Sequence, residues 1–499
     1  MALVAFKNSN AVLFLVLVLT GGGFLLSSCT VGPDYVKPTV DMPPAYKEMQ
    51  DDVHWRPAQP READFRGAWW EIFGDPRLNE LEQQVAVSNL NIAVAEAQFR
   101  QARALVQASR ASFFPTVTIG SSYTRSRTPI SAGTSTPATR KSETASNYLI
   151  SGDAAWEPDI WGKVRRSLEG SEANMQASAA DLEAVRLSMQ AELAQDYLQL
   201  RTLDAQKQLY DSTVIAYQKY LDLTKNRYAG GVASRADVLQ AETQLKATQS
   251  QAVDISLQRA QVEHAIAVLV GKPASVLSIP ASPLAAAPPA IPVGVPSVLL
   301  ERRPDIAAAE RRVASANAQI GVAQSAYYPN LTLTASGGFQ SASLAKWLSW
   351  PNRLWAIGMS LLESVFDGGM RNALTEQARA AYDASVASYR LAVLTGFKEV
   401  EDNLAAIRLL EEEARLQDDA VQASRQAVTI STNQYKAGTI TYLDVVTVQT
   451  IALANERTAV DIQGRRMAAS VLLIKALGGG WGGLAAPPSA QSEPSTGIR

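Results

Sequence analysis

The sequence predicts a mainly α-helical fold with a membrane β-barrel part, and three observations predict it. No proline occurs between Pro158 and Pro273 or between Pro351 and Pro487, and both intervals are rich in the strong helix formers Ala, Leu, Gln, Glu and Arg. Ahead of each long helical run lies a pair of segments in which polar and apolar side chains alternate, the period of a strand with two different faces. The whole arrangement is written twice at a nearly fixed spacing.

The chain has 499 residues, with Lys+Arg 46 against Asp+Glu 48 and a net charge of −2. Near-neutrality argues against a nucleic-acid partner held by bulk positive charge. Charged residues make up 19% and mean hydropathy is −0.05, which suits neither a solvated disordered chain nor a polytopic helical membrane protein. The two histidines, His54 and His264, and the single cysteine, Cys29, are too few for a metal cage or an internal disulfide.

Lys7, the apolar run Ala11–Leu19 and the small-residue zone from Gly21 to Cys29 have the anatomy of a secretory signal. Leu26-Ser-Ser-Cys29 resembles a bacterial lipobox, so residues 1–28 are expected to be removed and Cys29 to carry lipid. Thr30 follows the cysteine where an aspartate would signal inner-membrane retention, which points to the outer membrane.

The repeat is read from paired motifs. Asn91-Ile-Ala-Val-Ala-Glu96 and Asp305-Ile-Ala-Ala-Ala-Glu310 stand 214 positions apart, as do Pro115 and Pro329. Tyr228 and Tyr435, Asp237 and Asp444, and Gly271 and Gly478 stand 207 apart. Such a long period means a duplicated half-molecule, not a solenoid unit. The boundaries expected are a lipidated segment over 29–76, a first repeat over 77–279, a Pro/Ala-rich linker over 280–297, a second repeat over 298–478 and a flexible tail over 479–499.

Each repeat reads as helix, two strands and two long helices. Strands are expected over 116–123, 146–157, about Leu331 to Phe339, and 353–363, with Thr128–Ser146 as an exposed loop. Leu182, Val185, Met189, Leu193, Tyr197, Leu200 and Leu203 make one helical stripe, and Val393, Phe397, Val400, Leu404 and Ile407 a coiled-coil seam. Gly230-Gly231 and Gly438 interrupt the long runs at matching points, as left-handed glycine caps between the helices of two hairpins. Trp347, Trp350 and Trp355 suit an aromatic girdle at a membrane interface. His264 and Glu411-Glu-Glu413 read as structural or solvated positions. Four strands cannot close a spanning barrel, because an open edge leaves backbone groups unpaired in hydrocarbon. The chain is therefore expected to be an oligomer.

Further motifs carry a resemblance. Cys29 with Val31-Gly-Pro-Asp-Tyr35, Trp69–Leu78, Leu299-Leu-Glu-Arg-Arg-Pro-Asp-Ile306, Tyr435–Val445 and Ala476–Trp481 resemble the outer-membrane factors of the TolC/OprM/NodT type, the exit ducts of tripartite efflux pumps. The resemblance implies a homotrimer with a twelve-stranded β-barrel on an α-helical barrel. It also implies a periplasmic adaptor and an inner-membrane transporter of the resistance-nodulation-division class as partners. No cofactor is expected beyond the lipid on Cys29, and no enzyme chemistry.

On that resemblance Tyr435, Asp444 and Thr447 map to the periplasmic gate. Gly230, Gly231, Val232, Gly438 and Thr439 map to the adaptor-docking tips. Ile440 stands where TolC has an arginine, and Thr447 where relatives often have an aspartate. Asp444 could also serve simply to favour its helix start. A duct for type I protein secretion and a non-conducting coiled-coil scaffold are the rival readings; the alternating strands oppose the second.

Overall fold

The computed structural model describes residues 30–41, 43–48, 68–128, 143–282, 284, 287–289, 291, 302–479 and 481. The signal segment, Cys29 and most of the 280–297 and 479–499 stretches lie outside the described residues, as does His54.

Seven α-helices and four strands are described. A short 3-10 turn (Trp69–Phe73) leads into α1 (Pro76–Ser88) and α2 (Leu90–Ala111). Then come β1 (Thr116–Thr128), β2 (Glu143–Trp156), α3 (Lys163–Ala229) and α4 (Arg235–Leu269). The order recurs as α5 (Pro304–Ser325), β3 (Asn330–Ser341), β4 (Arg353–Leu362), α6 (Met370–Ala437) and α7 (Tyr442–Ala476). Corresponding helices match closely in length: 22 and 22, 67 and 68, 35 and 35 residues. None of them is long and apolar enough to cross a membrane.

The chain packs into two compact units, each drawing on both repeats. One comprises the described parts of 1–38, 100–175 and 310–387, and contains the sheet. Its four strands are antiparallel neighbours in the order β1-β2-β3-β4. The registers run from Thr116↔Ala155 to Thr128↔Glu143, from Tyr148↔Ser341 to Trp156↔Leu333, and from Asn330↔Leu362 to Phe339↔Arg353.

The pairing corrects the expected loop. β1 continues past Tyr123 to Thr128, and Thr144, Ala145 and Ser146 belong to β2. The Ser/Thr-rich composition that suggested a loop equally suits a ladder, because hydroxyl-bearing residues tolerate a strand once a neighbour supplies its hydrogen bonds.

The second unit comprises the described parts of 39–99, 176–309 and 388–499. Its largest apolar cluster takes Trp69 and Leu81 from the first segments, Leu193 and Leu200 from α3, Ile266 from α4 and Val471 from α7. Burial of each large side chain contributes about 1.5–3 kcal/mol. The α3 stripe is buried from Leu193 to Leu203 and half-buried before it; the α6 seam is buried from Val393 to Leu404. His264 is exposed, as are Glu411, Glu412 and Glu413.

The motifs that carried the resemblance have structural work here. Asp75 caps α1, accepting from the N–H groups of Arg77 and Leu78, and also accepts from the Tyr197 hydroxyl at 2.5 Å. Arg303 donates to Glu399 (2.5 Å), to both Asp305 oxygens (3.0 and 2.6 Å) and to the Ala476 carbonyl (3.2 Å). It thereby ties the start of α5 to α6 and to the end of α7. Asn89 breaks the first predicted helix into two: its side chain accepts from the N–H groups of Asn91 and Ile92 and donates to the Leu269 carbonyl at 2.8 Å.

Candidate functional site

Both hairpin turns are built alike. α3 ends with Gly231 at φ 74°, and α6 with Gly438 at φ 78°. Val232 N–H donates to the Arg227 carbonyl and Thr439 N–H to the Gln434 carbonyl, satisfying the last free carbonyls of each helix. A Cβ on Gly231 or Gly438 would meet nothing within 4 Å, so the positive φ, not crowding, requires glycine there. Gly230 is not a left-handed cap; it keeps a helical bond to the Asn226 carbonyl. Val232 and Thr439 are exposed, and the Thr439 hydroxyl donates to the same Gln434 carbonyl that its N–H uses.

The returning helices begin with matched caps. Ser234 and Asp237 exchange hydrogen bonds across the start of α4. At the start of α7 the Asp444 carboxylate accepts from both the N–H (2.9 Å) and the hydroxyl (2.7 Å) of Thr441. Those two bonds hold the exposed Asp444 carboxyl below the usual carboxylate range. One turn on, the exposed Thr447 hydroxyl is turned back onto the Leu443 carbonyl.

Tyr435 lies in a small core shared by all four hairpin helices, with Tyr217, Leu221, Ala241, Leu245, Tyr442 and Val445. Ile440 packs against that core as an apolar wedge. The Tyr435 ring sits 5.4 Å from that of Tyr442 and 4.7 Å beneath the Arg227 guanidinium, which also donates to the Lys436 carbonyl at 3.1 Å. The Tyr435 hydroxyl is buried with no partner among the described residues. Tyr435 is thus a packing residue held by a cation, while Asp444 and Thr447 are exposed on α7 and bonded within it.

Arg227, Tyr442 and Gln449 complete this region and were not singled out from sequence. Gln449 is buried, its amide unpartnered among the described residues, beside a cleft of about 330 Å³ lined also by Tyr217, Tyr220, Arg425 and Glu456. An arginine in the last turn of a helix is a readable signal; its stacking on a tyrosine 208 positions away is not.

In the other unit, alternation along the sheet gathers Val117, Ile119 and Tyr123 of β1 with Trp355, Ile357, Met359 and Leu361 of β4 on one face, by way of the registers through β2 and β3. These seven side chains are 55–82% exposed. β1 and β4 each pair on one side only among the described residues. An apolar face that large, with two open edges, is not a surface that water tolerates.

The chain just after Cys29 is clamped in the same unit. Val31 N–H donates to the Trp161 carbonyl (3.1 Å), Arg166 donates to the Val31 and Gly32 carbonyls and to Asp34, and Asn317 donates to the Pro33 carbonyl. Tyr35 donates to Glu310. Gly32, at φ 105°, lies so close to Gly321 that a Cβ would stand 2.4 Å from its Cα.

The family profile described as outer membrane efflux protein matches residues 81–272 and 295–479. The toluene efflux pump outer membrane protein TtgC of Pseudomonas putida is 30% identical over 467 residues, 92% of this chain and 94% of TtgC. The pyoverdine export outer membrane protein OpmQ of Pseudomonas aeruginosa is 30% identical over 83% of this chain and 87% of its own. Among solved structures, the outer-membrane channel OprN superposes with a TM-score of 0.82 at 32% identity, covering 91% of this chain and all of OprN.

Proposed function

The chain belongs to the outer membrane efflux protein family, and from that premise we propose that it is the outer-membrane exit duct of a tripartite efflux pump. It conducts small solutes passively to the exterior. Its partners are a periplasmic adaptor and an inner-membrane transporter of the resistance-nodulation-division class. The observation that carries this reading is the open-edged sheet, whose exposed apolar face runs from Val117 to Tyr123 and from Leu361 to Trp355. Three copies joined edge to edge, β1 against β4, pool twelve strands into a closed wall; the apolar face meets lipid and the Ser/Thr face lines the pore.

The hairpin turns are the periplasmic end. Gly230, Gly231, Val232, Gly438 and Thr439 dock the adaptor, and Tyr435, Asp444 and Thr447 stand at the constriction. Three Asp444 carboxylates around an axis favour cations. A lipid on Cys29 anchors the segment that Arg166 and Asn317 clamp. The work of transport comes from the transporter.

The test is reconstitution of the purified chain in a planar bilayer. Stepwise, cation-selective currents from a cross-linkable trimer are expected. A stable monomer that conducts nothing would overturn the reading.

A further inference from the structure

The apolar face of the sheet does not end in apolar residues. On β1 it runs Val117, Ile119, Ser121, Tyr123 and then Arg125 and Arg127; on β4, in the reverse direction, Leu361, Met359, Ile357, Trp355 and then Arg353. From Val117 to Tyr123, and from Leu361 to Trp355, is six steps along the strand, about 20 Å at the rise of a strand. That approaches the height of the apolar band of an outer-membrane barrel, about 25 Å. The arginines therefore follow the band directly, on the face that meets lipid, where a pore-lining role is excluded by parity.

They stand at one end only. β1 starts a few residues after α2, and β2 and β4 lead into α3 and α6, so the helices leave from the opposite end of the sheet. All three arginines are exposed, and neither Arg125 nor Arg353 has a carboxylate partner among the described residues. Aromatic side chains cluster on the same strands and their connection: Tyr123 on Tyr148 (ring centroids 4.7 Å apart) and Tyr148 near Trp347 (6.0 Å), while the Arg353 guanidinium lies over the Trp350 ring at 4.4 Å. Lys346 lies in the connection between β3 and β4.

We infer that this rim binds the phosphate groups of the phosphorylated glycolipid of the outer leaflet. The inference rests on the outer-membrane duct reading, which puts the helices in the periplasm and the strand connections outside. Charge and geometry select the occupant. A planar guanidinium matches a phosphate with paired hydrogen bonds, the adjacent indole and phenol rings suit the boundary between acyl chains and headgroups, and the apolar band beneath holds the chains. Edge-to-edge closure sets the β1 arginines of one copy beside the β4 edge of the next, which gathers the basic side chains at each junction between copies; β2 and β3 place Tyr148, Ser146, Phe339 and Ser341 on this face between them.

The test uses the full mature chain in dodecyl maltoside, with diphosphoryl lipid A as the probe and native mass spectrometry as the readout. Binding is expected to fall about fivefold per arginine changed, and about a hundredfold in the triple variant Arg125→Gln, Arg127→Gln, Arg353→Gln. The corresponding triple lysine variant retains most of it, and lipid A stripped of both phosphates binds the parent no better than phosphatidylcholine does. A glutamine variant that binds as tightly as the parent, or equal binding of the stripped lipid, overturns the inference. Bilayer currents from the same preparations separate the two readings: a conducting parent that ignores lipid A removes the rim site alone, whereas a non-conducting parent removes the duct.

Discussion

The guanidinium of Arg227, in the last turn of α3, lies 4.7 Å from the ring centroid of Tyr435, in the last turn of α6, and caps the carbonyl of the neighbouring Lys436. One side chain thus joins the ends of two helices from different repeats. A partly desolvated cation–π contact contributes about 1 kcal/mol. Arg227→Gln should loosen the tip and raise the open probability in planar bilayers. Tyr435→Phe, which removes only a buried hydroxyl without a partner among the described residues, should leave currents unchanged or the tip slightly more stable. Equal effects of the two changes would mean the stacking is not what holds the turns.

Asp444 serves the start of α7, so its removal should act locally first. Its carboxyl is held below its ordinary value of 3.8 by the two bonds from Thr441. A lowered value means the bonds support the fold above that ordinary value and are lost as pH falls through the lower folded one. Asp444→Ala should speed amide exchange at residues 441–447 and abolish this acid dependence. If Asp444 also faces the conduction path, single-channel conductance or cation selectivity will change; unchanged currents limit it to the cap.

Glu82 is fully buried in the apolar cluster with Trp69 and Leu81, and neither carboxyl oxygen has a hydrogen-bond partner among the described residues. Burial pushes its pKa from 4.5 up to about 9. Between those values the fold keeps a proton that the unfolded chain has released, so stability falls as pH rises from about 4.5 to about 9 and is level outside that window. Glu82→Gln should flatten the melting temperature across pH 5–9, and Glu82→Leu should raise it at pH 8 by on the order of 5 °C. A parent profile with no fall over that range would show the carboxyl finding a partner.

Arg303 is buried among two carboxylates and a helix-end carbonyl. Arg303→Ala leaves the Ala476 carbonyl and Glu399 without it and should cost about 3 kcal/mol. Lower yield and earlier loss of the folded band on heating are the expected readouts. Arg303→Lys should recover only part, because an ammonium cannot reach all three acceptors in the guanidinium plane.

Much of the architecture was legible in the chain itself. Proline-free intervals, the 207 and 214 spacings and strict alternation are local or periodic signals, and they specified two long hairpins, four strands and a duplicated order. Gly438 was readable as a turn because a left-handed backbone admits few residues other than glycine; of Gly230 and Gly231, only the structure showed which takes that conformation. The ends of β1 and β2 were not readable, since a Ser/Thr-rich segment becomes strand or loop according to whether a neighbour completes its ladder. Nor was the difference in standing between Tyr435 and Asp444. Tyr435 is buried beneath Arg227, 208 positions away, and such a meeting is decided by packing, whereas the bonds of the exposed Asp444 to Thr441, three residues back, are local to the helix start. Sequence determined which segments are helix and strand and which strand positions share a face; tertiary structure decided which polar groups find partners, because burial and hydrogen bonding are properties of neighbours in space.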